Sequence, residues 1–271
     1  MTYGGIVGGL SSLASGVAPD QAIVNKFSHR DDLSTSLKDV WDHPDASLEY
    51  LGGIGSGETM DIVRASPTID KVGGTGAHSI TLFGIDDDGW YQEATYSLDG
   101  EATITTTEVW LRVWRVKVVG PSQAGGDPKV PNVGDITIQA ATSLTVQSFV
   151  EAGAGITHMS HFTVPRGFVG VGIYLNGTTG SGKEVDLFSL VRESPLDGTV
   201  GPFIRGRNYK LLETGIEQTD AAFLPELTDV LFQAKTIAGS ATIGLTFQVH
   251  LIKSSLVGSN TLKEITAQLS A

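Results

Sequence analysis

The chain contains no cysteine, which excludes disulfides, thiolate zinc centres and cysteine nucleophiles together. It contains no run of about 18 apolar residues, so no segment reads as a membrane-spanning helix. Its first basic residue is Lys26, so the opening "MTYGGIVGGLSSLASGVAPDQA" lacks the positively charged start of a secretory signal. That Gly- and Ser-rich opening reads instead as a flexible or docking arm. Basic residues are in deficit: 18 Lys and Arg stand against 30 Asp and Glu, a net charge of −12. Such a balance repels nucleic-acid backbones, so no nucleic-acid partner is expected. No internal repeat recurs at a fixed period, which argues against solenoids and long parallel β-helices.

What is present is length, glycine and strand periodicity. A chain of 271 residues can bury a substantial core. Its 34 glycines are scattered along the whole sequence, as turn punctuation is. Residues 1–57 show little strand periodicity and read as an arm or lead-in, with "DLSTSLKDVW" able to form one or two helical turns. From residue 59 the period becomes two. "HSITLFGI", the turn "DDDG" and "WYQEATYSL" read as a hairpin over 78–98. "TITTTEVWLRVWRVKVVG" reads as one long strand, with Val109, Leu111 and Val113 on one face and Trp110, Arg112 and Trp114 on the other. The Pro- and Gly-rich loop 120–135 marks a possible sub-boundary. "ATIGLTFQVHLIK" near the C-terminus alternates Ile243, Leu245, Phe247 and Val249, as a half-buried strand does. Residues 256–271 read as a tail. The expected fold is all-β: a jelly-roll-like antiparallel sandwich over 58–255 with an extended N-terminal arm.

Four stretches imitate chemical motifs. "NGTTGSGKEV" fits G-x-x-x-x-G-K through Gly177, Gly182 and Lys183. A working phosphate loop needs a helix after the lysine and a hydroxyl residue beside it. Glu184 holds that place and "EVDLFSLV" alternates like a strand, so a glycine-rich hairpin tip is expected. Asp86, Asp87 and Asp88 resemble part of a calcium loop, but consecutive acids between strands fit an Asp-Gly turn. A nonstandard cation site there stays open, as does a chance carboxylate pair of Asp86 with Glu184. His158 and His161 form H-x-x-H, a spacing that points to opposite faces on a strand. "FIRGRNYK" concentrates Arg205, Arg207 and Lys210 beside Phe203 and Tyr209, and reads as surface strand rather than a nucleic-acid patch. No pattern calls for a metal, a cofactor or a catalytic residue.

A series of segments resembles a family of β-rich virion structural proteins of tailed phages, notably marine and cyanobacterial ones. They are "NKFSHRDDLSTSLKDVWDHP", the stretch from "DIVRASPTIDKVGG" to "RVWRVKVV", "NVGDITIQ", "FTVPRGFVG" and "LPELTDVLFQA". They keep the family's order over residues 25–253. "SHRDD" departs from the family's Gly-x-Asn, and "PELTD" lacks its lysine. The resemblance implies a capsid decoration or cement protein, a head-fibre, or a tail component. It would be made in the host cytoplasm and located in the virion. Its partners would be major capsid or tail proteins, and copies of itself, with a trimer as the expected oligomer. Trp41, Trp110, Trp114, Arg205 and Arg207 are the candidate subunit-interface residues. Two other classes compete. A carbohydrate-binding module would stack sugars on Trp90, Tyr91, Trp110 or Trp114. A polysaccharide-degrading enzyme has no motif here to support it.

Overall fold

The computed structural model describes residues 20–44, 47–119, 131–180, 183–193, 200–212 and 216–257. In chain order the strands are β1 (Gln21–Leu33), β2 (Lys38–Asp39), β3 (Glu58–Arg64), β4 (Ser79–Ile85), β5 (Tyr91–Ser97), β6 (Thr103–Trp110), β7 (Arg112–Val119), β8 (Ile136–Ala140), β9 (Val146–Val150), β10 (Phe162–Thr163), β11 (Phe168–Thr179), β12 (Val185–Glu193), β13 (Ile204–Leu211), β14 (Ile216–Leu224), β15 (Thr228–Thr236) and β16 (Ala241–Lys253). All pairing is antiparallel.

The pairing is nested. β1 pairs β16, β2 and β10 pair β15, β11 pairs β14, and β12 pairs β13. Two further pairings, β11 with β16 and β12 with β15, close the sheets β1-β16-β11-β14 and β10-β15-β12-β13. A long hairpin folded over on itself gives this double Greek key, the jelly roll. Its second strand is split. β2 faces Ala234 and Gln233, and β10 faces Val230 and Asp229 further along the same partner. Residues 40–161 therefore leave the jelly roll in mid-strand and return to the same line. At the neck Val40 N donates to Phe232 O (3.0 Å) and Ser160 N donates to Val40 O (3.0 Å).

The insertion forms two sheets, β6-β3-β8-β9 and β5-β4-β7. The long strand expected over 103–120 is broken at Leu111. Trp110 pairs Glu58 in one sheet and Arg112 pairs Ile85 in the other. The bend explains why Trp110, Leu111, Arg112, Val113 and Trp114 are all buried while Val109 stays exposed: each half meets a different sheet. Gly84 permits it, because a Cβ there would overlap the Arg112 carbonyl. The hairpin expected over 78–98 is present as β4–β5, with Ile85 opposite Tyr91. The insertion's loops gather on buried Asp70, whose carboxylate accepts the amides of Ala77 (2.8 Å), Val133 (2.9 Å) and Gly134 (2.9 Å).

One apolar core runs through both parts. Ile62, Ile80, Leu82, Trp110 and Val113 of the insertion join Phe232, Ile243, Phe247 and Val249 of the jelly roll. The expected alternation in β16 holds, with Ile243, Leu245, Phe247, Val249 and Leu251 all buried.

The lead-in expected over 1–57 is corrected by β1, and the helical turn expected over 32–41 by the end of β1 and by β2. Residues 1–19 lie outside the described residues. The boundary considered at 120–135 falls inside the insertion, between β7 and β8; its residues 120–130 are not described. β1 is hard to read because its polarity is inverted. Lys26, Ser28 and Arg30 point inward and are buried, while Phe27 points outward and is 51% exposed. Lys26 Nζ donates to the Trp114 carbonyl. Burial, and secondarily the nearby Arg115, hold its amine well below the usual lysine range.

An unfolded lysine is charged at neutral pH, so this depression costs stability there, and the cost fades as pH rises toward about 10.4. Lys26→Met is therefore expected to stabilise the protein at neutral pH, with the gain shrinking in alkaline buffer. Urea denaturation of both proteins at several pH values measures it.

Candidate functional site

Along β15 the side chains alternate between two surroundings. Phe232 turns into the jelly roll and meets the Phe247 ring, with centroids 5.0 Å apart. Asp229, Leu231 and Gln233 turn the other way, toward the neck and the segment before β3. Leu231 packs in a second apolar cluster with Trp41, Leu48, Phe149 and Met159. Gln233 Nε2 donates to Asp39 Oδ1 (2.8 Å). Asp229 becomes the centre of a buried ionic cluster.

Asp229 is fully buried, and four side chains from three parts of the chain converge on it. Arg112, at the start of β7 in the insertion, donates from Nε (3.4 Å) and from its terminal nitrogen (3.3 Å). Arg192 of β12 donates from Nε (3.0 Å) and from a terminal nitrogen. Thr163 Oγ1 of β10 donates to Oδ1 (2.6 Å). His161, on the returning neck, lies 3.6 Å from the carboxylate and 3.1 Å from Thr163 Oγ1. Since the Thr163 hydroxyl proton goes to Asp229, the His161 Nε2–H donates to Thr163. The remaining Arg112 donors reach the carbonyls of Leu51 (3.0 Å), Leu111 (2.8 Å) and Gly52 (3.2 Å).

Aromatic rings cap the cluster. The Tyr50 ring lies 5.3 Å from the Arg112 guanidinium and 4.5 Å from that of Arg192. Phe203 lies 4.4 Å from Arg192 on the outer side. Beside them opens a cleft of about 580 Å³ bordered by Tyr50, Arg192, Phe203, Leu190 and Gln233.

The electrostatics follow from this packing. Burial alone would raise the Asp229 carboxyl, but Arg112, His161 and Arg192 outweigh it and hold the group far below the carboxylate range. Burial holds the His161 imidazole down at about 4 against the pull of Asp229, so the ring is neutral at physiological pH. Burial, reinforced by Asp229, pushes the Tyr50 hydroxyl well above its ordinary value. A carboxylate held this low and covered by two guanidiniums is a poor proton acceptor. Its chemical capacity is to bind, and here it binds the insertion, the neck and both halves of the jelly-roll sheet to one point.

The residues singled out from sequence fall elsewhere. Trp41 (1% exposed), Trp110 (0%) and Trp114 (4%) are buried in the chain's own core, which corrects their assignment to a subunit interface. Large apolar rings at alternate strand positions fit a core as well as an interface, and the insertion supplies the second covering layer. Arg205 and Arg207 are exposed on β13, an edge strand that pairs with β12 alone among the described strands. Arg205 lies 4.1 Å from the Phe188 ring. "NGTTGSGKEV" is not a hairpin tip. β11 and β12 lie in different sheets, so the stretch crosses between them; residues 181 and 182 are not described. Glu184 pairs with Lys210. Asp86 Oδ1 accepts the amides of Asp88 (3.0 Å) and Trp90 (2.8 Å), and Asp87 accepts that of Gly57 (2.5 Å), so these acids shape turns. His158 and His161 engage different carboxylates, Asp42 (2.7 Å) and Asp229. Trp90 and Tyr91 are half exposed.

Sequence reasoning missed Asp229, Arg192 and Tyr50 as a group. The available signal was an ionisable residue in the middle of apolar strand sequence, as in "PELTDVLFQA" and "VWLRVWRV".

No family model and no curated protein matches the chain. Solved structures of infectious bursal disease virus align over most of it. The Gt strain covers 91% of this chain and 78% of its own at 9% identity, with a TM-score of 0.26. The virus-derived T=1 particle covers 86% and 74% at 11% identity, with a TM-score of 0.21. The T13 particle covers 89% and 78% at 10% identity, with a TM-score of 0.24.

Removing the charge from Asp229 leaves two buried guanidiniums without a counter-ion. Asp229→Asn is expected to destabilise the protein by about 3–5 kcal/mol, measured by urea or thermal unfolding.

Proposed function

We propose that this chain is a structural protein of a tailed-phage virion, an oligomeric decoration or cement protein that stabilises the particle through subunit contacts. The observation that carries the proposal is the ordered series of motifs over residues 25–253 that resembles such proteins. The physical character of the fold is consistent with it. The jelly roll is an architecture found in capsid proteins as well as in lectins and cupins. The buried charged groups at its centre, Asp229, Arg112 and Arg192, are committed to internal contacts. What the molecule offers outward includes the charged edge of β13.

The surface best suited to a subunit contact is β13. Its first five residues are all exposed, and Arg205 and Arg207 lie on a chain of net charge −12. Edge strands commonly carry such charges to prevent random pairing. A partner with an acidic face turns the same charges into a selective contact, because rim charges steer association and suppress wrong partners. Other copies, or the major capsid protein, are the partners in this reading.

A second reading, a receptor- or glycan-binding tail component, draws on one observation. Trp90 and Tyr91 are each about half exposed at the β4–β5 turn, with the Arg166 guanidinium 5.6 Å from the Trp90 ring.

One experiment separates the readings. Phage carrying Arg205→Glu with Arg207→Glu are purified, and the chain is quantified on particles by mass spectrometry. The decoration reading expects at least a tenfold loss of incorporation by a variant whose circular dichroism still shows the wild-type strand content. Undiminished incorporation contradicts a β13 contact, and absence of the wild-type chain from particles contradicts a virion role. Normal incorporation of Trp90→Ala with impaired adsorption to cells favours the second reading.

A further inference from the structure

A second charged cluster lies where the insertion leaves and re-enters the jelly roll. Asp42 follows the exit from β2, His158 precedes the return to β10, and His29 lies on β1 beside them. The Asp42 side chain is only 4% exposed. Its Oδ2 accepts from His158 Nδ1 at 2.7 Å, and its Oδ1 lies 3.4 Å from His29 Nδ1. Among the described residues that Oδ1 has no hydrogen-bond partner, and the His29 ring faces it. The other His29 nitrogen, Nε2, lies 3.2 Å from Asp31 Oδ1. The Asp42 amide also donates to the His158 carbonyl (3.2 Å), so the two neck segments are held side by side while His29 ties them to β1.

The chemistry of His29 is informative. A neutral imidazole has one N–H and one lone pair. Placed between two carboxylates, it satisfies one and turns its lone pair toward the other. Only the imidazolium donates to both. His158 can donate to the Asp42 carboxylate in either state, but only the charged form adds ion-pair attraction to that bond. We propose that His29, Asp42 and His158 form a proton-operated clasp that holds the insertion's neck against β1 when the imidazoles are charged and loosens it when they lose their protons.

The groups facing the clasp support this direction. Glu151, on the loop after β9, adds negative charge near His158. The nearby cations are engaged elsewhere: Arg30 with Asp32 and the carbonyls of Asp39 and Pro44, and Lys38 with Asp32. The Asp42 hydrogen bond raises the His158 imidazole above its ordinary 6.5. A histidine raised on folding contributes fully below 6.5, and the contribution fades as pH climbs through the raised value. His29 and His158 also border an open cleft of about 530 Å³, whose other walls include Phe27, Glu151, Asn176 and Thr246. This is the seam along which a loosened insertion would shift. The inference stands independently of the virion reading.

The absence of native cysteine makes the test direct. Spin labels are placed on the full chain at Val72→Cys in the insertion and Ile237→Cys in the jelly roll, both exposed positions. Electron–electron distance distributions are recorded at about pH 5.5 and about pH 8.5, a range that spans imidazole titration. The expected result is a narrow distribution at the lower pH that broadens at the higher. Asp42→Asn should be broad at both. His29→Gln with His158→Gln keeps side-chain amide donors and should lose the pH response even if Asp42→Asn fails to fold. A wild-type distribution unchanged between the two pH values overturns the proposal, as does a double histidine variant that keeps the wild-type response.

Discussion

The structure depends on one buried carboxylate. Asp229 collects Arg112 from the insertion, Arg192 from β12, and Thr163 and His161 from the returning neck. Desolvating two guanidiniums and a carboxylate is costly, and only close geometry with several hydrogen bonds offsets it. Geometry of that kind forms only when the insertion sits in one position on the jelly roll. The cluster therefore acts as a registration device, adding less to stability than to the uniqueness of the arrangement. Its aromatic cover of Tyr50 and Phe203 keeps solvent from weakening the charges.

The interrupted second strand creates the need for such a device. A chain that leaves a sheet in mid-strand and returns over 100 residues later must keep two short strand pieces in line. Each of β2 and β10 has only two residues in the ladder, too few to hold by backbone hydrogen bonds alone. Val40, Ser160 and the Trp41–Met159 bridge fix the neck's backbone. Trp41 and its apolar cluster cover it. Asp229 on one side and Asp42 on the other fix it electrostatically. The two ionic groups differ in kind: one is fully buried and insensitive to pH near neutrality, and the other is reached by solvent through its imidazoles.

Much of the fold was legible in the sequence, for identifiable reasons. β4, β5 and β16 alternate apolar and polar residues on a half-buried face, and glycine or aspartate marks their turns. β1 was not legible, because Lys26, Ser28 and Arg30 occupy the inward row and Phe27 the outward one. The break at Leu111 was hidden because both halves of the run favour strand. The neck was hidden because Val40, Trp41 and Ser160 carry no turn signal, whereas the Pro-rich loop that does carry one lies within the insertion. The ionic cluster was hidden because its members are separated by up to about 180 residues and no local spacing links Tyr50 to Asp229. Arg205 and Arg207 were legible as surface residues, since their strand has a basic, glycine-interrupted edge. The tryptophans were legible as a buried row, but whether a subunit or the chain itself covers them was not.

Charge burial at the neck makes insertion and jelly roll a single cooperative body. Native-state hydrogen exchange at about pH 6 tests it most directly, by comparing β4 and β7 amides with those of β11 and β16. The slowest amides in both parts are expected to report the same opening free energy, equal to that of global unfolding. Slowest insertion amides that exchange through a separate opening, several kcal/mol easier than that of the jelly roll, would contradict it.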